Sequence, residues 1–169
     1  HILYNDIRYA EIEGNSTITG NHFNGRELIG IGIDLNGTQT FAEIRNNRVH
    51  DYHTNSTVDL NDSLIGIRVR NNARANIINN LIYDCYDGYS DGSENRVGMG
   101  VYVESSAETN ILGNIFWGCL VKNGTGTNPG HSCIWAPASG TLVEYNLHWM
   151  SSYYQHAQLV KGGVIDRNT

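Results

Sequence analysis

The 169-residue chain carries 11 Lys and Arg against 17 Asp and Glu, a formal charge of −6, with 19 Gly and only 2 Pro. That balance supplies no basic patch for phosphates and argues against nucleic acid and anionic membrane surfaces as partners. Its longest apolar stretches, such as Leu28 to Ile33, fall far short of the roughly 20 residues of a membrane span. The length suits a single domain over residues 1–169, and abundant Gly and Asn beside little Ala and Leu point to β structure with many tight turns.

Taken along the chain, one motif recurs: an aliphatic residue, two variable positions, an Asn, another variable position, then usually an apolar residue. Its copies run Ile2 to Ile7 around Asn5, Ile18 to Phe23 around Asn21, and Ile44 to Val49 around Asn47. They continue as Ile77 to Ile82 around Asn80, Ile111 to Phe116 around Asn114, Val143 to His148 around Asn146, and Ile165 to Asn168. A second motif precedes the later copies by about ten residues: Gly32-Ile33-Asp34-Leu35, Gly66-Ile67-Arg68-Val69, Gly100-Val101-Tyr102-Val103 and Cys133-Ile134-Trp135-Ala136. Its spacing of 33 to 34 residues is one rung of a solenoid, with short strands in the Gly-Ile motif, before the repeated Asn and after it. Asn suits the bend because it tolerates left-handed backbone, and its amide can bond to the Asn of the next rung. Stacked copies then form an Asn ladder and aliphatic ladders (Ile33, Ile67, Val101, Ile134; Ile44, Ile77, Ile111, Val143), with rungs about 4.8 Å apart.

These copies resemble the right-handed parallel β-helix repeat superfamily, the pectate-lyase-like fold, over nearly the whole chain. The fold expected is all-β: a right-handed parallel β-helix of about five to six rungs of three short strands, with long loops on the later rungs. The resemblance spans polysaccharide lyases, glycoside hydrolases, epimerases, tailspikes, adhesins and surface-layer proteins, so it implies no single activity. Its lyases use acidic residues to hold calcium and an Arg or Lys to take the proton; its hydrolases use paired carboxylates. No cluster of three acids stands on the Gly-Ile face, so catalytic residues stay unassigned and the chain can be read as an enzyme or not.

Outward positions of the Gly-Ile strand stack as Asp34, Arg68, Tyr102 and Trp135, and two residues on as Asn36, Arg70, Glu104 and Pro137. A carbohydrate groove would use Asp34, Arg68, Arg70 and Glu104 for uronate or hydroxyl groups and Tyr102 and Trp135 for stacking on sugar rings. The plainer reading pairs Asp34 with Arg68 and Arg70 with Glu104 across rungs. After the repeated Asn, the outward files turn apolar: Leu81, Ile115 and Leu147 in one, Tyr83, Trp117 and Trp149 in the other, where earlier rungs carry Arg48 and His50. Such a stripe needs cover from the segments 86–97, 120–132 and 152–163, from a partner subunit or domain, or from stacked sugars.

The segment Asp84 to Glu94 places Asp84, Asp87, Asp91 and Glu94 in one Gly-containing loop, which either wraps Ca²⁺ or is simply solvated. His50 and His53 read as surface residues, because His-x-x-His without a third ligand does not indicate zinc. His148 falls where Ile82 and Phe116 point inward, as a satisfied core histidine or as the place where the regular core stops. Cys85 and Cys119 hold equivalent places on successive rungs, as a disulfide or as stacked thiols, with Cys133 unpaired or competing for Cys119. Five sequons, at Asn15, Asn36, Asn55, Asn61 and Asn123, lean towards a secreted or cell-surface location. With no initiator Met or signal peptide, the chain reads as a mature or excised segment. Both ends fall inside a repeat copy, which points to a longer solenoid or to end-to-end stacking of subunits.

Two functions follow as expectations: an extracellular β-helix binding or processing a polysaccharide, or a structural or adhesive solenoid that assembles through its ends and apolar stripe.

Overall fold

The computed structural model describes residues 1–26, 30–52, 64–85, 98–104, 107–119, 133–136, 140–149, 160–161 and 164–166. Among them the strands form three parallel sheets. Sheet A holds β1 (Ile2–Leu3), β4 (Ser16–Thr19), β7 (Phe41–Arg45), β10 (Arg74–Ile78), β13 (Glu108–Leu112), β16 (Leu142–Glu144) and β19 (Val164–Asp166). Sheet B holds β2 (Asp6–Ile7), β5 (His22–Asn24), β8 (Arg48–His50), β11 (Leu81–Tyr83), β14 (Ile115–Trp117) and β17 (Leu147–Trp149). Sheet C holds β3 (Ala10–Ile12), β6 (Gly30–Asn36), β9 (Leu64–Arg70), β12 (Gly98–Val103), β15 (Ile134–Trp135) and β18 (Val160–Lys161). The chain visits A, B and C in turn six times, a right-handed parallel β-helix of about six rungs. Among the described residues no helix is long and apolar enough to cross a membrane.

Register follows the repeat. Ile18, Ile44, Ile77, Ile111 and Val143 pair in sequence across sheet A, and all five are fully buried. Ile33, Ile67, Val101 and Ile134 do the same in sheet C, and Phe23, Val49, Ile82 and Phe116 in sheet B. Each full burial of such a side chain contributes about 1.5–3 kcal/mol, so the ladders are the main stabilising term.

The Asn ladder is present and continuous from Asn5 to Asn146. Backbone N–H groups of Asn5, Asn21, Asn47, Asn80 and Asn114 each donate to Oδ1 of the next Asn at 2.8–2.9 Å. The side-chain amides of Asn21, Asn47, Asn80, Asn114 and Asn146 donate to the carbonyl oxygens of Ile2, Ile18, Ile44, Ile77 and Ile111 at 2.8–2.9 Å. In one respect the structure differs from expectation: the left-handed residue is the one before the ladder Asn. Tyr4, Gly20, Asn46, Asn79, Gly113 and Tyr145 have φ between 54° and 67°. The ladder Asn must turn its amide inward to bond its neighbours, so the preceding residue makes the bend.

A second device sets the C-side interior. Tyr52, Cys85 and Cys119 each stand two residues beyond a sheet B strand and turn into the core. They and their sheet B neighbours face a file of glycines. A Cβ on Gly32 would lie 2.9 Å from the Tyr52 ring, one on Gly66 3.1 Å from Ile82 and 3.2 Å from Cys85 Sγ, and one on Gly100 2.7 Å from Phe116. Glycine is there because bulky side chains occupy the space a Cβ needs. The three cysteines are free and buried, and burial pushes the Cys85 and Cys133 thiols well up, which leaves them unreactive.

Candidate functional site: an arginine pair at a cleft on sheet C

Register places Glu11, Asp34, Arg68, Tyr102 and Trp135 in one outward file across β3, β6, β9, β12 and β15. Asp34 is only 1% exposed, yet it faces outward, covered by two guanidinium groups. Arg68 donates through Nε to Oδ1 at 3.0 Å and through Nη2 to Oδ2 at 2.6 Å. Arg70 donates through the same two nitrogens to the same two oxygens, at 3.2 and 3.0 Å. Burial alone would push the Asp34 carboxyl up, but the bonds from Arg68 and Arg70 outweigh it and hold it below the usual carboxylate range. The bond to Asp34 in turn raises Arg68.

Beside this pair opens a cleft of about 290 Å³ whose walls include Arg8, Tyr9, Glu11, Tyr52, Arg68 and Arg70. Tyr9 is 50% exposed and donates its hydroxyl to Glu11 Oε2 at 3.1 Å, while Glu11 Oε1 accepts from Arg70 Nη2 at 3.4 Å. The cleft thus concentrates three arginines against two carboxylates on a chain that is acidic as a whole.

Three sequence expectations change here. Arg70 does not pair with Glu104: it reaches back to Asp34, whose burial demands charge neutralisation, while the half-exposed Glu104 accepts the backbone N–H of Asn71 at 3.1 Å. Asp34 belongs to the cleft wall but is shielded by the arginines, so its carboxylate orients them and leaves little surface of its own for a ligand. Tyr9, Glu11 and Arg8 were missed, because Ala10-Glu11-Ile12 lacks the preceding Gly. Its place ahead of Ile18, like that of Ile33-Asp34-Leu35 ahead of Ile44, is the signal that locates Glu11. Tyr102 and Trp135 continue the file, both half-buried.

On sheet B the apolar stripe is in register, Leu81 with Ile115 and Leu147, Tyr83 with Trp117 and Trp149. Ile115, Trp117 and Leu147 are 44%, 46% and 46% exposed, while Tyr83 is buried. Tyr83 lies in a stack of rings, 4.5 Å from His50 and 5.9 Å from Trp117, and His50 in turn lies 4.7 Å from His22. His50 is therefore not a surface residue: it is 5% exposed, held within that stack between His22 and Tyr83.

Asp84 is partly exposed in a left-handed bend, with φ 51°. The other calcium candidates, Asp87, Asp91 and Glu94, lie outside the described residues, as do His53, Pro137, the sequons at Asn55, Asn61 and Asn123, and the segments expected to cover the stripe except Val160–Lys161. Among the described residues no three His, Cys, Asp or Glu side chains are grouped to hold a metal.

His148 pairs in register with Phe116 and stacks on its ring at 5.0 Å. Among the described residues neither ring nitrogen has a hydrogen-bond partner, so it is a core histidine but not a satisfied one. Burial pulls its pKa down to about 4. A base whose folded pKa is lowered costs nothing above its unfolded value near 6.5 and destabilises progressively as pH falls from there towards 4. His148→Phe is expected to flatten the fall of the thermal midpoint between pH 6.5 and pH 4; an unchanged pH profile would show that the buried imidazole is not its source.

No protein-family model, no curated protein and no solved structure matches the chain.

Proposed function

We propose that the protein is an extracellular β-helix, secreted or held at a cell surface, of the pectate-lyase-like superfamily, and that it binds an acidic polysaccharide along sheet C. The observation that carries this is the arginine pair. One buried carboxylate holds Arg68 and Arg70 side by side at the rim of an open cleft. Each guanidinium turns its Nε and Nη2 edge to Asp34 and keeps its Nη1 hydrogens for a ligand, and planar guanidinium matches a uronate carboxylate. Half-exposed Tyr9, with Tyr102 and Trp135 further along the file, offers ring faces to sugars.

The test is a binding and cleavage panel of uronate-containing, sulfated and neutral polysaccharides. Binding is expected for the uronate polymers, weakened about tenfold or more by Tyr9→Ala and by the charge-neutral double change Asp34→Asn with Arg68→Gln, since one lost charge-assisted bond is worth about 1.5–3 kcal/mol. Equal binding of neutral polymers, or no effect of either variant, would rule out the cleft. Product release in the same panel would make the protein a lyase or hydrolase.

A second reading, a structural or adhesive solenoid, is favoured by one observation: Ile115, Trp117 and Leu147 form a contiguous exposed patch on sheet B. On that reading light scattering across a concentration series shows a fixed oligomer or filaments that Trp117→Ser disperses. A wild-type monomer at every concentration would end it.

A further inference from the structure

The cleft on sheet C already holds a carboxylate of its own. Register sets Glu11 on β3 beside Asp34 on β6, two like charges on strands about 4.8 Å apart, an arrangement that repels unless a cation lies between them. Arg70 is that cation. It donates to Asp34 through Nε and Nη2 at 3.2 and 3.0 Å, and Nη2 also donates to Glu11 Oε1 at 3.4 Å. The other Glu11 oxygen, Oε2, accepts the Tyr9 hydroxyl at 3.1 Å.

The two acids differ in how freely they can leave. The Asp34 side chain is 2% exposed and accepts from both guanidinium groups at 3.2 Å or less, so its departure would strand a buried charge. The Glu11 side chain is 43% exposed and its bond to Arg70 is long, so it turns out into water at small cost. That movement frees an Nη2 hydrogen of Arg70 and the Tyr9 hydroxyl together, two donors on a wall that Arg8 and Arg68 also line.

We propose that Glu11 is a built-in placeholder: its carboxylate occupies the place on Arg70 and Tyr9 that an anionic group of the ligand takes, and the ligand binds by displacing it. This rests on reading the cleft as an anion site, and it names the residue that sets the threshold for binding there. Without ligand, Glu11 keeps Arg70 and Tyr9 satisfied, so affinity is lowered by what its displacement costs. A neutral sugar hydroxyl does not displace a carboxylate from a guanidinium, because charge-assisted bonds are the stronger kind. A uronate or sulfate group does so on equal terms, restoring the bond to Arg70 and accepting from Tyr9. The contact is thus a self-inhibiting one that confines this edge of the cleft to anions.

The experiment compares wild type, Glu11→Gln and Glu13→Gln on two probes: a uronate homopolymer by calorimetry, and sodium sulfate by the arginine Nε–Hε resonances. Glutamine keeps the size of Glu11 and an oxygen for Tyr9 but gives up the charge. Glu13, exposed two residues further on and outside the cleft wall, removes the same charge as a control. At low ionic strength Glu11→Gln is expected to bind both probes about three- to fivefold more tightly, the size of an exposed ion pair's contribution. Glu13→Gln should stay within about 1.5-fold of wild type, because separated surface charges are screened. Equal or weaker binding by Glu11→Gln overturns the proposal, as does an equal gain in Glu13→Gln. A gain for sulfate without any binding of the polymer upholds the placeholder and rejects the polysaccharide reading. Polymer binding by wild type with no gain in Glu11→Gln does the reverse, and no binding of either probe by any of the three rejects both.

Discussion

Asn80→Leu is expected to lower the unfolding free energy by about 3–5 kcal/mol, since the change leaves a buried backbone donor and a buried carbonyl unpaired at about 1–3 kcal/mol each and disturbs the amides above and below. In the native rung Oδ1 of Asn80 accepts the Asn47 backbone N–H at 2.9 Å and the Asn47 side-chain amide at 3.0 Å. Its own amide donates to the Ile44 carbonyl at 2.9 Å and to Asn114 Oδ1 at 3.0 Å. Leucine has the right bulk and none of this capacity. A domain with a total stability of about 5–15 kcal/mol feels such a loss as a large drop in the urea midpoint with an unchanged slope. The neighbouring change Asn79→Gly should move the midpoint little, because Asn79 is exposed in a left-handed bend that glycine adopts freely and Gly113 already fills one rung later. If Asn80→Leu were as mild as Asn79→Gly, the ladder could not be what binds rung to rung.

The second large effect is expected at Asp34. Removing its carboxylate by Asp34→Ala leaves two guanidinium groups with no shared counter-charge, and breaking a buried pair in this way costs about 3–5 kcal/mol, towards the lower end here because Arg68 and Arg70 keep about a quarter of their side-chain surface in water. The pH dependence has a definite sign. The folded pKa of Asp34 lies below its ordinary value of 3.8, so its contribution is complete above that value and is lost only as pH falls through the lower, folded one. Urea titrations of wild type and Asp34→Ala should therefore run apart by a constant gap from neutral pH to about pH 4–5 and converge in stronger acid. A gap that closes as pH rises would contradict the ion triad.

Most of this architecture could be read from the chain. The seven repeated motifs located the ladder, the three strands of a rung and the inward files, because a solenoid writes its stacking directly into periodic sequence. The bend was displaced by one residue: both demands on the motif, a left-handed backbone and an amide for the neighbour, were assigned to Asn, whereas the structure divides them between Asn79 and Asn80 and their equivalents. Contacts between side chains on neighbouring rungs were harder. Arg70 has two acids within a rung of it, and only burial, which sequence does not state, selects Asp34 over Glu104. Sequence alone reads His50 as a surface histidine and does not foresee its contact with His22, because the two hold different places in the motif: His22 pairs with Arg48 and Asn24 with His50, so their approach is a diagonal one that the repeat does not state.

Rungs differ in length, and the variation has a single location. Between sheets A and B the connection is always two residues, 46–47, 79–80 and 113–114 among them, and between C and A it stays short. Nearly all variation falls between B and C, from residues 8–9 in the first rung to 118–133 in the fifth. The solenoid therefore behaves like a hinge-bound book with one free margin: text can be added or removed at the B-to-C corner while the spine is undisturbed. Lengthening a flexible connection costs only about 0.6 kcal/mol per doubling. Recognition surfaces can thus be rewritten along this edge in evolution or by grafting, while the Asn ladder and the aliphatic files keep the same cross-section.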